Sequence, residues 1–155
     1  QTVVAQLLLE QKKTIAVAES CTGGLVTSAL VEYPGISEVL LEGCVTYSND
    51  AKMRRLGVKA ETLEAYTAVS KEVAAEMAEG IAKSSGAEIG LSTTGIAGPD
   101  GATAEKPVGL VYIGLYDAGK TTVMEYHYTG KRNQIRERAA MYALDALRKA
   151  LQHES

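Results

Sequence analysis

Thr14-Ile15-Ala16-Val17-Ala18-Glu19-Ser20-Cys21-Thr22-Gly23-Gly24-Leu25-Val26 sets a short, unbroken apolar run against a cluster of hydroxyls and glycines. Thr14 to Ala18 has the pattern of a strand buried on both faces, and Gly24 to Glu32 is a small-residue run suited to a helix. A strand handing over to a helix is the building unit of an α/β fold. At such a handover backbone N–H groups point outward without partners, so Ser20 stands beside donors for an anion or a developing oxyanion. The turn could assist attack on a carbonyl or cradle a phosphate, and both readings stay open at this point.

Working outward, residues 2–12 carry Val3, Val4, Leu7 and Leu8 at helical spacing ahead of the strand. After the turn, Tyr33-Pro34-Gly35 stops the second helix, and Val39 to Tyr47 has strand character with Gly43 as a weak point. Ser48 is placed to cap a helix over Asn49–Leu56, closed by Gly57. Ser70 caps the clearest amphipathic helix, with Val73, Met77 and Ile81 on one stripe and Gly86 past its end. Ala87 to Thr93 is the next strand. A glycine-rich loop, Thr94 to Gly101, leads through Lys106-Pro107 into a strand over Val108–Tyr116, and Asp117-Ala118-Gly119 turns the chain back into Thr121–Tyr128. Residues 131–151 close the chain as a helix buried through Ile135, Ala139, Ala143, Leu147 and Leu151. Strands alternating with helices, followed by a hairpin, predict a three-layer α/β/α sandwich with a mixed, mostly parallel sheet. Ligands of open α/β sheets collect beyond the carboxyl ends of strands, so the segments at Ser20, Tyr47 and Thr94 are expected to converge.

Composition narrows the function classes. At 155 residues and 46% hydrophobic, with no repeat or linker, residues 1–155 are expected to form one domain with a core of its own. A net charge of −3, without a basic run interleaved with aromatics, points away from nucleic acid and toward small partners. Cys21 and Cys44 make no Cys-x-x-Cys or Cys/His spacing, which argues for a reducing, cytoplasmic setting and against a metal site. No apolar run approaches the roughly 20 residues of a membrane span, and no signal-like segment precedes the first helix. The sequence opens at Gln1 without a methionine, so an excised domain or a missing end is expected.

For Ser20 to act as a nucleophile, some group must accept its proton. Histidine is scarce: His127 falls inside the last strand and His153 in the terminal tail. A Ser-Lys arrangement is the alternative, and Tyr47-Ser48-Asn49-Asp50-Ala51-Lys52 supplies a lysine, with a tyrosine to relay the proton. Lys52 serves as base only where desolvation or nearby positive charge lowers its pKa. Each residue also has a plain reading: Ser20 and Thr22 as helix caps, Cys21 as a small buried side chain rather than a rival nucleophile, Tyr47 as an amphipathic strand end, Lys52 as a solvated helix residue. The loop Thr93-Thr94-Gly95-Ile96-Ala97-Gly98-Pro99-Asp100-Gly101 matches neither a P-loop nor a dinucleotide fingerprint, yet its glycines allow close backbone approach to an anion. Lys131, Arg132 and Arg136 oppose the macrodipole at the start of the last helix. An anionic ligand would relieve that conflict, and so would pairing with Glu137 or Glu125.

Joined together, the segments Ala18-Glu-Ser-Cys-Thr-Gly-Gly24, Val45-Thr-Tyr-Ser-Asn49 with Lys52, Thr94-Gly-Ile-Ala-Gly-Pro-Asp-Gly101 and Lys106-Pro-Val-Gly109 resemble the CinA carboxy-terminal domain, the nicotinamide-nucleotide amidase (PncC) family. The likeness covers essentially the whole chain in order and spacing. It implies a cofactor-free hydrolysis of the carboxamide of nicotinamide mononucleotide to nicotinic acid mononucleotide and ammonia, part of pyridine-nucleotide recycling. It implies Ser20 as nucleophile, Lys52 as base and then acid, Tyr47 as proton relay, and Thr94 lining the substrate. It also implies the three-layer sandwich, commonly a homodimer, and in many bacteria fusion behind an amino-terminal molybdopterin-binding-like domain. The residues themselves suggest that the backbone amides of Cys21, Thr22 and Gly23 hold the oxyanion. The phosphate is then expected on the backbone of Gly95, Ala97 and Gly98, with help from Arg136. A competing expectation, prompted by the family's association with competence and DNA damage, is a nucleotide-binding or regulatory module without turnover. A third is a Ser-Lys hydrolase acting on another amide or ester.

Overall fold

The apolar run that opens the chain's first strand is buried on both faces because its side chains alternate between two cores. In the computed structural model, which describes residues 2–153, Ile15 and Val17 of β1 (Ile15–Glu19) enter one core and Ala16 and Ala18 the other. Gln1, where the helical pattern starts, lies outside the described residues. The first core is covered by α1 (Thr2–Gln11), α2 (Leu25–Val31) and α6 (Arg132–His153). The second is covered by α3 (Asn49–Leu56), α4 (Ala60–Tyr66) and α5 (Lys71–Ser85).

Between these layers lies a five-stranded sheet of order β2-β1-β3-β4-β5, with β2 (Leu40–Val45), β3 (Ile89–Gly95), β4 (Leu110–Asp117) and β5 (Lys120–His127). β1 pairs in parallel with β2 and β3, while β4 runs antiparallel to both β3 and β5. Only β4 is reversed, so the carboxyl ends of β2, β1 and β3 meet at one edge. This is the expected three-layer α/β/α sandwich with a mixed sheet.

Local chemistry explains the element ends. Ser48 Oγ accepts from the amide of Ala51, and Ser70 Oγ from that of Val73, so both serines cap their helices. On the second face α5 presses directly on the sheet: a Cβ built on Gly90 would stand 1.9 Å from the carbonyl oxygen of Ala78. Val73, Met77 and Ile81 are fully buried there, each contributing roughly 1.5–3 kcal/mol by removal from water.

Several elements differ from the expectation: β2 stops at Val45, short of Tyr47, and β4 starts at Leu110 and not at Val108. β3 continues through Gly95, so Thr94 sits in the strand rather than after it. Helix α6 runs on to His153, which is helical and not part of a tail. Helix α4 was not expected, because Ala60-Glu-Thr-Leu-Glu-Ala-Tyr66 buries only Leu63 and so carries almost no apolar stripe. Among the described residues no helix is long and apolar enough to cross a membrane.

Candidate active site

Because β2, β1 and β3 point the same way, Tyr47, Ser20 and Thr94 arrive at one edge of the sheet and line a cavity of about 270 Å³ with Lys52, Gly98 and Arg132. The expected convergence of the three segments is present. A larger hollow of about 520 Å³ between α1, α2 and α6 contains none of these residues.

Lys52 lies in the first turn of α3 and is 1% exposed. Its Nζ stands 3.0 Å from Ser20 Oγ, 2.7 Å from the carbonyl oxygen of Thr46 and 3.1 Å from that of Tyr47. No carboxylate pairs with it among the described residues, and burial lowers its pKa from 10.5 to about 8. A neutral amine has two hydrogens and one lone pair. The two carbonyls can only accept, so they take the hydrogens and leave the lone pair for the Ser20 hydroxyl.

Cys21 also lines the cavity, but burial pushes its thiol up to about 12. Lys52 Nζ reaches Ser20 Oγ and makes no hydrogen bond to the Cys21 sulfur among the described residues, so the base favours the serine.

The amides of the turn divide unequally. Glu19, fully buried, turns its carboxylate onto the start of α2: Oε1 accepts from the amides of Gly24 and Val26 at 3.0 Å each, and Oε2 from the amide of Thr27 at 2.9 Å. Thr22 Oγ1 and Thr27 Oγ1 donate to the same carboxylate at 2.6 and 2.7 Å. The helix start is thus filled by the protein's own anion, which closes the reading of this turn as a phosphate cradle. The amide of Gly23 donates to Ser20 O at 3.1 Å, so Gly23 is not an available oxyanion donor. The amide of Cys21, a residue of the cavity wall, donates to no other residue among the described ones, whereas Thr22 is fully buried and outside the lining. Glu19 was missed by sequence reasoning, although an acidic residue one turn before a helix was a signal for it.

The arginines exchange their expected places. Arg136 donates from Nε to Cys21 O at 3.1 Å and from Nη2 to Thr22 O at 3.2 Å, and it does not line the cavity. It braces the Ser20 turn from behind, over Gly23 in its left-handed conformation at φ 59°. Arg132, one helical turn earlier, lines the cavity instead; its Nη1 donates to Gly98 O at 2.6 Å and its Nη2 to Tyr47 Oη at 3.0 Å. Neither arginine makes the alternative pairing with Glu125, which holds His127.

Tyr47 is 62% exposed, and its hydroxyl is held by Arg132; no hydrogen bond joins that hydroxyl to Ser20 or Lys52 among the described residues. Thr94 lines the cavity while its hydroxyl donates to Ala68 O at 2.8 Å. In the glycine-rich loop the amide of Ile96 is taken by Leu110 O, whereas those of Ala97 and Gly98 donate to no acceptor among the described residues. Among the described residues no cluster of three His, Cys, Asp or Glu side chains could hold a metal ion.

The family model of the CinA C-terminal domain matches residues 1–151, a span that holds the serine turn, the buried lysine and the glycine-rich loop. The chain belongs to the CinA C-terminal domain family. A competence-damage inducible protein of Clostridium botulinum (strain Loch Maree) is 62% identical over 149 residues, covering 96% of this chain and 36% of its own length. One from Clostridioides difficile is 63% identical over 145 residues, covering 94% of the chain and 35% of its own length. The chain therefore spans about a third of these curated relatives. Among CinA-superfamily structures, one from Klebsiella pneumoniae superposes with a TM-score of 0.94 at 34% identity, covering 98% of this chain and 95% of that one. A competence/damage inducible protein of Agrobacterium tumefaciens gives 0.90 at 40% identity, covering 98% and 97%.

Proposed function

We propose that this CinA-family chain hydrolyses the carboxamide of nicotinamide mononucleotide to nicotinic acid mononucleotide and ammonia. The observation that carries the reading is Lys52 Nζ at 3.0 Å from Ser20 Oγ, in a buried site that lowers the lysine's pKa.

Neutral Lys52 takes the Ser20 proton as Oγ attacks the amide carbon, and the tetrahedral oxyanion falls to the amide of Cys21 at the cavity wall. The lysine, now an ammonium, returns its proton to the departing nitrogen, which leaves as ammonia. Water, deprotonated by the same lysine, then attacks the acyl-serine; as the bond to Oγ breaks, the lysine returns the proton to Ser20 and the acid product is released. General base action supplies ~10²–10⁴-fold, and one oxyanion donor about 10²–10³-fold. Because Lys52 reaches Ser20 directly, Tyr47 is assigned to substrate contact and not to proton relay. The phosphate is assigned to Arg132 with the amides of Ala97 and Gly98, in place of Arg136. Residues 1–155 are read as a single cofactor-free cytoplasmic domain, working as a homodimer and fused in the longer relatives to a molybdopterin-binding-like domain.

Incubation with nicotinamide mononucleotide should release ammonia, and Ser20→Ala should abolish release with the fold intact. An active Ser20→Ala variant would remove the serine mechanism. The relatives' names, which speak of competence and damage, favour a second reading as a nucleotide-binding regulatory module. Calorimetry separates the two: tight binding of the mononucleotide without turnover supports the module.

A further inference from the structure

Behind Ser20 lie three groups that the proposed chemistry does not use, Glu19, Thr22 and Thr93, all fully buried. Thr22 Oγ1 stands 2.6 Å from Glu19 Oε1 and 2.7 Å from Thr93 Oγ1, and the amide of Ser20 donates to Thr93 Oγ1 at 3.5 Å. The proton directions follow from the donor inventory. Thr22 has one hydroxyl hydrogen, and the carboxylate, which only accepts, takes it. Thr93 must then donate to Thr22, which leaves the lone pairs of Thr93 Oγ1 facing the Ser20 amide. A one-way chain therefore runs from the nucleophile's own N–H through two hydroxyls to a buried carboxylate.

We propose that this Ser20 amide–Thr93–Thr22–Glu19 chain is a positioning device, which fixes the turn so that Ser20 Oγ stays at Lys52 Nζ and the amide of Cys21 stays at the cavity wall as an oxyanion donor. The inference rests on the amidase reading above. The chain grips the turn at Ser20 and again at Thr22, one residue either side of Cys21. Glu19 meanwhile takes the amides of Gly24, Val26 and Thr27. With those donors occupied and the turn held at both ends, the amide of Cys21 is left at the cavity wall. Donors fixed in advance lose no reorganisation energy when charge develops, so their effect falls on the transition state. A carboxylate and two hydroxyls buried together are also a poor means of stabilisation compared with an apolar trio of the same volume. Glu19, Thr22 and Thr93 touch no reacting atom through their side chains; they act through the turn.

The experiment compares Thr93→Val and Thr22→Val with Thr93→Ser and Thr22→Ser in the whole chain, by ammonia release from nicotinamide mononucleotide and by the rate at which a fluorophosphonate labels Ser20. Each valine variant should lower kcat at least tenfold, leave KM within twofold and slow labelling, while each serine variant stays within threefold of the parent. Valine variants with kcat within twofold of the parent overturn the proposal. So does an equal loss in the serine and valine variants, or failure of the valine variants to fold, either of which marks the chain as purely stabilising. A parent chain that labels but releases no ammonia refutes the substrate assignment alone, and the labelling rates still decide the positioning role. A parent that does neither removes the amidase reading and this inference with it.

Discussion

Lys52 Nζ and Ser20 Oγ face each other at 3.0 Å, 32 residues apart in sequence, with the carbonyls of Thr46 and Tyr47 on the lysine's other sides. The strand order creates this pairing. β2 lies beside β1, so the helix that follows β2 starts next to the turn that follows β1. A lysine in that first turn, with its side chain directed back toward the helix N-terminus, meets the serine.

The pH profile should report this lysine. The base is its neutral form, present at about one part in ten at pH 7 when the pKa is about 8. Below pH 8, kcat/KM should therefore rise about tenfold per pH unit and flatten above it. A rise that continued to pH 10 would mean an ordinary solvated lysine. Lys52→Arg, which stays protonated, should lose ~10²–10⁴-fold of kcat.

The same burial should appear in stability. Folding lowers the lysine's pKa from 10.5 to about 8, so between those values the unfolded chain holds the extra proton. Stability contributed through this group therefore rises with pH across that window and is least below pH 8. The full span is about 3 kcal/mol. Urea unfolding of the parent and Lys52→Met, taken at pH 7 and pH 10, should show the parent gaining on the variant. A constant difference would contradict the buried, depressed lysine.

Arg132 and Arg136 should separate cleanly in kinetics. Arg132 lines the cavity, so Arg132→Ala should raise KM for the phosphorylated substrate by ~10–100-fold, the worth of a hydrogen bond to a charged group, with a smaller fall in kcat. Nicotinamide riboside, lacking the phosphate, should not feel the change. Arg136 grips the carbonyls of Cys21 and Thr22, so Arg136→Ala should lower kcat and leave KM nearly unchanged. The opposite pattern would return the phosphate to Arg136.

What could be read from the sequence was what repeats along it. The alternation of Ile15 to Ala18, the stripe Val73, Met77, Ile81 and the capping serines at 48 and 70 are local signals, and each element stands where they put it. Ser20, Tyr47, Lys52 and Thr94 were also gathered correctly, because parallel strands deliver their ends to one edge. The choice between Arg132 and Arg136 was not local. The two sit a turn apart on α6, and which one enters the cavity depends on how that helix docks against α2 and the sheet. Glu19 stayed hidden for a similar reason: five donors reach its carboxylate only after the chain has turned and begun a helix.

Gly90 tests the packing that holds this edge together. It lies in β3 beneath α5, where an added Cβ would stand 1.9 Å from the carbonyl oxygen of Ala78 and 3.0 Å from the Cβ of Ala82. A helix carbonyl cannot swing aside as a side-chain tip can, so α5 as a whole would have to lift from the sheet. Overpacking of this kind costs about 1–3 kcal/mol. Gly90→Ala should therefore lower the urea midpoint. Because α5 is reached from the loop whose Ala68 carbonyl holds Thr94, the lifted helix should also loosen the cavity wall and raise KM. Gly57→Ala, where an added Cβ meets nothing within 4 Å, is the control for glycine replacement as such: its φ of 71° makes it destabilising, but KM should hold. Equal changes in KM for the two variants would show that the α5 contact does not reach the site.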